Sequence, residues 1–118
     1  MKSYTDLEES KKLAEILPIE SADMGLYYSK NPNAARNQMW VGTKVENSDI
    51  PCWSLSALFE VMPKCVEGAE PSLIKTFRND YRIVYDIHGD EGITSEDYTN
   101  PVDACYEMIL KLHELKML

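Results

Sequence analysis

The sequence predicts an α+β domain in which a mainly antiparallel sheet of about four to five strands packs with three helices. Three observations predict it. Residues 50–63 contain the start and the stop of a short buried helix, residues 73–98 alternate like the strands of a meander, and a long amphipathic helix begins after Asn100. A length of 118 residues fits a single globular domain, residues 1–118.

The first helix is predicted from its capping residues. Thr5 and Glu8 have the spacing of a capping box, in which Thr5 is the N-cap and the Glu8 side chain returns to the Thr5 backbone N–H. Pro18 then ends the helix, because a proline cannot continue the backbone hydrogen-bond ladder.

Two short strands are expected before the central helix. Residues 26–28 form one, and residues 39–45 alternate with the period of two that is typical of a strand. Trp40 falls on the face opposite to Met39, Val41 and Val45. If that face is wet, Trp40 is an exposed anchor for a partner, since tryptophan is enriched at interaction hot spots.

The central helix has clear signals at both ends. Ser54 is a suitable N-cap, and Trp53 with Leu58 has the spacing of a hydrophobic staple. Pro63 supplies the stop. One apolar stripe of the helix consists of Leu55, Leu58, Phe59 and Met62.

The meander follows. Residues 73–78 and 81–88 are predicted strands joined by a reversal at Asn79 and Asp80, and residues 93–98 are a third strand after a turn at 89–92. In the second strand Ile83 and Tyr85 share a dry face.

The last helix begins with Asn100 as N-cap and Pro101 in its first turn, where a missing N–H costs nothing. One face of this helix is apolar and consists of Val102, Cys105, Met108, Ile109, Leu112 and Leu115.

The charge of the chain argues against two classes of function. A net charge of −8 disfavours direct binding of nucleic acid or of an anionic membrane, since both need clustered Lys and Arg. After Arg82 the chain has eight acidic and two basic residues. A negative surface there would dock a basic partner or imitate the phosphates of DNA, unless it is only a solvated face, and the candidate residues are Asp90, Glu91, Glu96 and Asp97.

Cysteine usage indicates a reducing compartment. Cys52, Cys65 and Cys105 are too few for a disulfide framework, and all three are expected as small core residues. The start of the chain lacks the apolar segment of a signal peptide, and no apolar run is long enough to span a membrane. A cytoplasmic location is the simplest expectation.

The residues that most resemble a catalytic or metal-binding motif lie at the end of the predicted strand 81–88. Asp86 and His88 are spaced as in the first metal-binding motif of the calcineurin-like metallophosphoesterases, which they resemble, and Asp90 follows. A two-metal hydrolase needs further ligands from later strands. The remaining residues supply no Gly-Asn-His motif, and His113 lies on the last helix. We therefore predict no catalytic residue, metal or cofactor, and an enzyme is the least favoured class.

Three segments resemble a family of small uncharacterised proteins of Bacteroides and related bacteria, often encoded beside phage-like or mobile elements. The resemblance lies in residues 17–24 (LPIESADM), 51–58 (PCWSLSAL) and 100–104 (NPVDA). It implies a single-domain bacterial accessory protein and implies no activity, ligand or catalytic residue.

The function expected from the sequence is that of a small non-enzymatic protein that binds another protein. The alternative is an acidic DNA mimic that inhibits a nucleic-acid-binding protein, and a small hydrolase using Asp86, His88 and Asp90 comes third. A sheet edge at residues 26–28 or 39–45 could also pair with a second copy of the chain.

Overall fold

Three α-helices and two three-stranded antiparallel sheets build the computed structural model, which describes residues 2–28, 39–43, 45–46, 48–87 and 90–118. A 3₁₀ turn at Ile19–Ser21 follows the first helix. In chain order the elements are α1 (Leu7–Ile16), β1 (Met24–Tyr28), β2 (Met39–Gly42), β3 (Ile50–Cys52), α2 (Leu55–Val61), β4 (Pro71–Lys75), β5 (Tyr81–Ile87), β6 (Asp90–Thr94) and α3 (Pro101–Glu114).

The strands divide into two sheets of order β2-β1-β3 and β4-β5-β6. The α+β class with three helices and antiparallel strands is therefore confirmed, whereas the sheet of four to five strands is replaced by two smaller ones. The second sheet corresponds roughly to the expected meander. Its last strand begins at Asp90, inside the predicted turn, and a register shift interrupts its pairing between Tyr85 and Asp86.

The start of α1 differs from the prediction by one residue. Asp6, and not Thr5, is the N-cap: its side chain accepts a hydrogen bond from Glu9 N at 2.9 Å, and Glu9 Oε1 accepts from Asp6 N at 3.1 Å. Thr5 is fully buried, and its backbone N–H donates to Trp53 O at 2.9 Å while its hydroxyl accepts from Trp53 N at 3.1 Å. Because Thr5 is hydrogen-bonded to Trp53, it does not act as the N-cap of α1.

The other two helices start as predicted. Ser54 accepts from Ala57 N at the start of α2, and Asn100 accepts from Asp103 N at 2.8 Å at the start of α3, whose first residue is Pro101. Helix α3 packs against α2 and β5. The core between them includes the fully buried side chains of Trp53, Leu58, Ile83, Tyr85, Val102, Cys105, Met108, Ile109 and Leu112. Leu115, expected on the apolar face, is 48% exposed.

The cysteine prediction is correct for two of three positions. Cys52 and Cys105 are buried, but Cys65 is exposed and all three are free thiols. Cys65 lies in a loop ahead of a tight turn in which Glu67 and Gly68 both have positive φ angles, so it belongs to no apolar face. Within the described residues, no helix has the length and apolar character needed to cross a membrane.

Candidate functional site

One face of the β2-β1-β3 sheet carries two aromatic side chains in a parallel stack. Tyr27 on β1 lies directly opposite Trp40 on β2, so both side chains point to the same face. Their ring centroids are 5.7 Å apart with an interplanar angle of 10°. Trp40 is 51% exposed, so the condition on which its role as a partner anchor depends is met at this residue, and that role stays a prediction.

The Tyr27 ring is held from two further sides. A Cβ atom placed on Gly42 would come within 2.7 Å of Tyr27 Cε2, so the ring covers the glycine backbone and leaves no room for a side chain there. The Tyr27 hydroxyl donates to the carbonyl oxygen of Glu46 at 3.2 Å. Trp40 therefore stacks on a ring that is itself held by a hydrogen bond and by contact with the Gly42 backbone.

A groove of about 550 Å³ is lined by neither Tyr27 nor Trp40 but shares two neighbours with this sheet face, and we refer to it as the strand groove. Glu46, whose carbonyl oxygen binds the Tyr27 hydroxyl, forms part of its wall. Pro51, which pairs with Gly25 on the aromatic face of the sheet, forms another part. The remaining lining residues are Ile19, Glu20, Ala22, Val45, Ser48 and Asp49.

A larger groove of about 730 Å³ lies between the end of α1, the 3₁₀ turn and α2, and we refer to it as the helix groove. Glu20 and Ala22 line both grooves, so the two depressions are neighbours. The described lining of the two grooves contains no Lys or Arg and has five acidic residues: Glu20, Asp23, Glu46, Asp49 and Glu60. The combined lining contains apolar side chains and these five exposed acidic residues, which we refer to as the acidic rim.

Of the acidic residues predicted in the second half of the chain, Glu96 and Asp97 line different depressions. Glu96 lines a depression against α3 together with Glu107 and Glu114, where burial and the neighbouring carboxylates raise the pKa of Glu107. Asp97 lies in another depression and forms a two-point ion pair with Arg82, with Arg82 Nε 2.8 Å from Asp97 Oδ1. Asp90 and Glu91 are the first residues of β6, and their side chains lie outside the described part of the chain.

The described residues provide no arrangement of side chains that supports the hydrolase hypothesis. Asp86 is exposed on β5, His88 falls outside the described residues, and the Asp90 side chain is likewise not described. Among the residues that the structure describes, no three His, Cys, Asp or Glu side chains are grouped in a way that could hold a metal ion.

Sequence reasoning missed an ionic cluster near the start of the chain. Lys2 Nζ lies 2.5 Å from Glu9 Oε1, 2.7 Å from Asp103 Oδ1 and 3.1 Å from Asp6 Oδ2. The cluster joins the N-terminal ends of α1 and α3. Only the capping motifs of the two helices could have hinted at it, because Lys2 and Asp103 are separated by 101 positions.

The surroundings of the cluster shift the pKa values of Glu9 and Asp103 in opposite directions. Burial, together with a hydrogen bond to Asp103, raises the pKa of Glu9 to about 7, although Lys2 and the Asp6 N–H act against this rise. Burial would also raise the pKa of Asp103, but hydrogen bonds from Glu9, Lys2 and Asn100 outweigh it and hold that pKa below its usual value. At mildly acidic pH the proton is thus held by Glu9, which donates it in a hydrogen bond to the Asp103 carboxylate, while Lys2 stays charged.

Comparisons with known proteins found no match for this chain. No protein-family model matches the chain, no curated protein matches it significantly, and no solved structure matches it significantly. The geometry of the surface is therefore the basis for a functional proposal.

Proposed function

We propose that this protein is a small protein-binding module that recognises an extended, proline-containing, basic segment of its partner. The observation that carries the proposal is the exposed Trp40 stacked on Tyr27, whose hydroxyl is hydrogen-bonded to Glu46 in the wall of the strand groove. Proline-rich segments dock on aromatic surfaces of this kind because their extended backbone is already ordered before binding.

The charge of the surface supports the basic character of the partner. Five acidic residues line the two grooves, and Glu20, Asp23, Glu46, Asp49 and Glu60 are all exposed. An Arg or Lys next to a proline would be attracted to this rim, whereas an acidic peptide would be repelled. Charge complementarity of this kind acts mainly on specificity and on the association rate.

We expect replacement of Trp40 by Ala to weaken binding of a synthetic peptide of alternating prolines and arginines at least about tenfold, because a hot-spot tryptophan contributes about 2 kcal/mol or more. The measurement is a calorimetric titration. Phe77→Ala is the matched control, since Phe77 is 92% exposed on another part of the surface, at the β4-β5 turn.

Equal binding by wild type and the Trp40 variant would contradict the proposal, and so would equal binding of a peptide with glutamates in place of the arginines. The DNA-mimic alternative is tested in parallel with the triple variant Glu96→Gln, Glu107→Gln and Glu114→Gln, which removes the acidic charges of the depression against α3. If capture of a nucleic-acid-binding protein depends on these three residues and not on Trp40, the DNA mimic is the better description.

A further inference from the structure

We propose that residues 116–118, which follow α3, form a strap that closes part of the helix groove and moves away when a ligand fills that groove. Such a strap would regulate the surface described above, and only the identity of its natural ligand rests on the proposed function. Three features support it: the backbone turn after α3, the position of Leu118 in the groove wall and the conformation of Lys116.

The chain changes its direction directly after α3 in a turn held by two backbone hydrogen bonds. Met117 N donates to Leu112 O at 2.9 Å, and Lys116 N donates to His113 O at 3.0 Å. These two bonds, together with a positive φ angle of 58° at Lys116, are the features of a Schellman motif. The strap therefore leaves α3 in a defined direction and does not continue along the helix axis.

Leu118 follows this turn and lies in the wall of the helix groove. The same wall contains Ile16 and Leu17 from the end of α1 and Val61 from the end of α2. Helix α3 itself contributes no residue to the described lining. Leu118 thus brings the strap to a groove that other elements form.

The strap is held by few interactions. Met117 and Leu118 are 38% and 40% exposed, so their apolar side chains are only partly covered. In the described part of the chain, Met117 N makes the last backbone hydrogen bond of this segment. Segments with few buried apolar contacts open locally at a much lower free energy than the whole domain. The open form of the strap is therefore accessible while the rest of the protein stays folded.

The conformation of Lys116 favours opening further. Its φ angle lies in the left-handed region, where the Cβ atom of an L-residue comes too close to the following carbonyl oxygen. Glycine avoids this repulsion and is the usual residue at this position of a Schellman motif. Lysine therefore makes closure about five- to thirtyfold less favourable than an unstrained residue would.

A strap of this kind regulates the groove by competition. A ligand that fills the groove binds the open form, so its apparent affinity is the intrinsic affinity multiplied by the open fraction. By the same linkage, the bound ligand raises the open fraction. A change that stabilises the closed turn should therefore weaken binding.

Thiol labelling tests the strap without any ligand. In a Cys65→Ser background, Val61→Cys places one thiol in the groove wall, and the other two cysteines are buried. Adding Lys116→Gly should slow the reaction of this thiol with a maleimide about fivefold, because glycine stabilises the closed turn. Adding Leu118→Ser should accelerate the reaction about two- to fivefold, because the strap loses its apolar contact with the groove.

Lys116→Ala is the matched control, since it removes the same charge as Lys116→Gly but keeps the Cβ atom. It should leave the labelling rate of Val61→Cys unchanged. Equal labelling rates in the glycine and alanine variants would overturn the proposal. So would slower labelling in the Leu118→Ser variant. Thermal unfolding of each variant verifies that the domain still folds.

Amide hydrogen exchange followed by NMR checks the turn itself. The Met117 amide exchanges when its bond to Leu112 O opens, so Lys116→Gly should slow this exchange about fivefold and Leu118→Ser should accelerate it. The amide of Leu112, inside α3, is the control and should not change. Unchanged exchange at Met117 in both variants would show that residues 116–118 are a fixed wall and not a strap.

The proline–arginine peptide of the proposed function links the strap to binding. It should bind Lys116→Gly about fivefold more weakly than Lys116→Ala, and its addition should accelerate exchange at Met117. Equal binding by the two variants would overturn the regulatory role and leave the proposed function intact. A peptide that binds neither variant would contradict the proposed function, and labelling and exchange would still decide whether the strap exists.

Discussion

Replacement of Trp53 by Ala is expected to lower the free energy of unfolding by about 3 to 5 kcal/mol, the range measured for aromatic residues deleted from protein cores. Trp53 is fully buried within the main hydrophobic core, and its indole N–H donates to the Ser21 hydroxyl at 3.0 Å. The variant loses the apolar contacts of the ring and leaves a cavity. Urea unfolding followed by circular dichroism measures the change.

Two further variants make this prediction specific. Trp53→Phe keeps most of the ring volume but gives up the hydrogen bond to Ser21, and we expect it to cost about 1 to 2 kcal/mol. Trp40→Ala removes the other tryptophan, which is half exposed, and should cost about 1 kcal/mol or less. If the two alanine variants were equally stable, the assignment of Trp53 to the core and Trp40 to the surface would be wrong.

The second large effect concerns pH. The pKa of Glu9 rises from 4.5 to about 7 on folding, so the protonated side chain stabilises the folded state fully below about pH 4.5, and this contribution is lost as the pH rises through about 7. Glu9→Gln keeps a neutral hydrogen-bonding group in place. Relative to wild type, we expect it to be about 1 to 3 kcal/mol more stable near pH 8 and about equally stable near pH 5.

The control for this prediction is Lys2→Met. Loss of the ammonium leaves three carboxylates together, so this variant should be less stable than wild type, and the deficit should grow as the pH rises and Glu9 ionises. Denaturant unfolding across the pH range measures both variants. A constant difference between wild type and Glu9→Gln at every pH would show that Glu9 does not titrate in this range.

Local signals in the sequence were reliable where they described a single element. Asn100 and Ser54 cap their helices, and the alternation around Ile83 and Tyr85 places both side chains in the core. The capping box of α1 was ambiguous, because Thr5 with Glu8 and Asp6 with Glu9 have the same spacing. Contact with Trp53, 48 positions away, decides between them.

The features that sequence reasoning missed depend on partners that are distant in the chain. Strand β3 has only three residues and contains Pro51, so it shows no alternation of its own and exists because Met24–Tyr28 pairs with it. The division into two sheets and the ionic cluster around Lys2 follow from similar long-range contacts. For the candidate site, strand parity separated Trp40 from the face of Met39, Val41 and Val45 but left its exposure undecided. Its stack on Tyr27 required the register of the sheet.

The distribution of the three thiols makes this protein convenient to label. Burial raises the pKa of Cys105 to about 12 and also raises that of Cys52, whereas Cys65 is exposed in the loop ahead of β4. A maleimide reacts with accessible thiolates, so one fluorophore should attach at Cys65 in the native protein without any engineered cysteine. A dye at that position would lie in the loop ahead of β4 and would leave Trp40 unmodified.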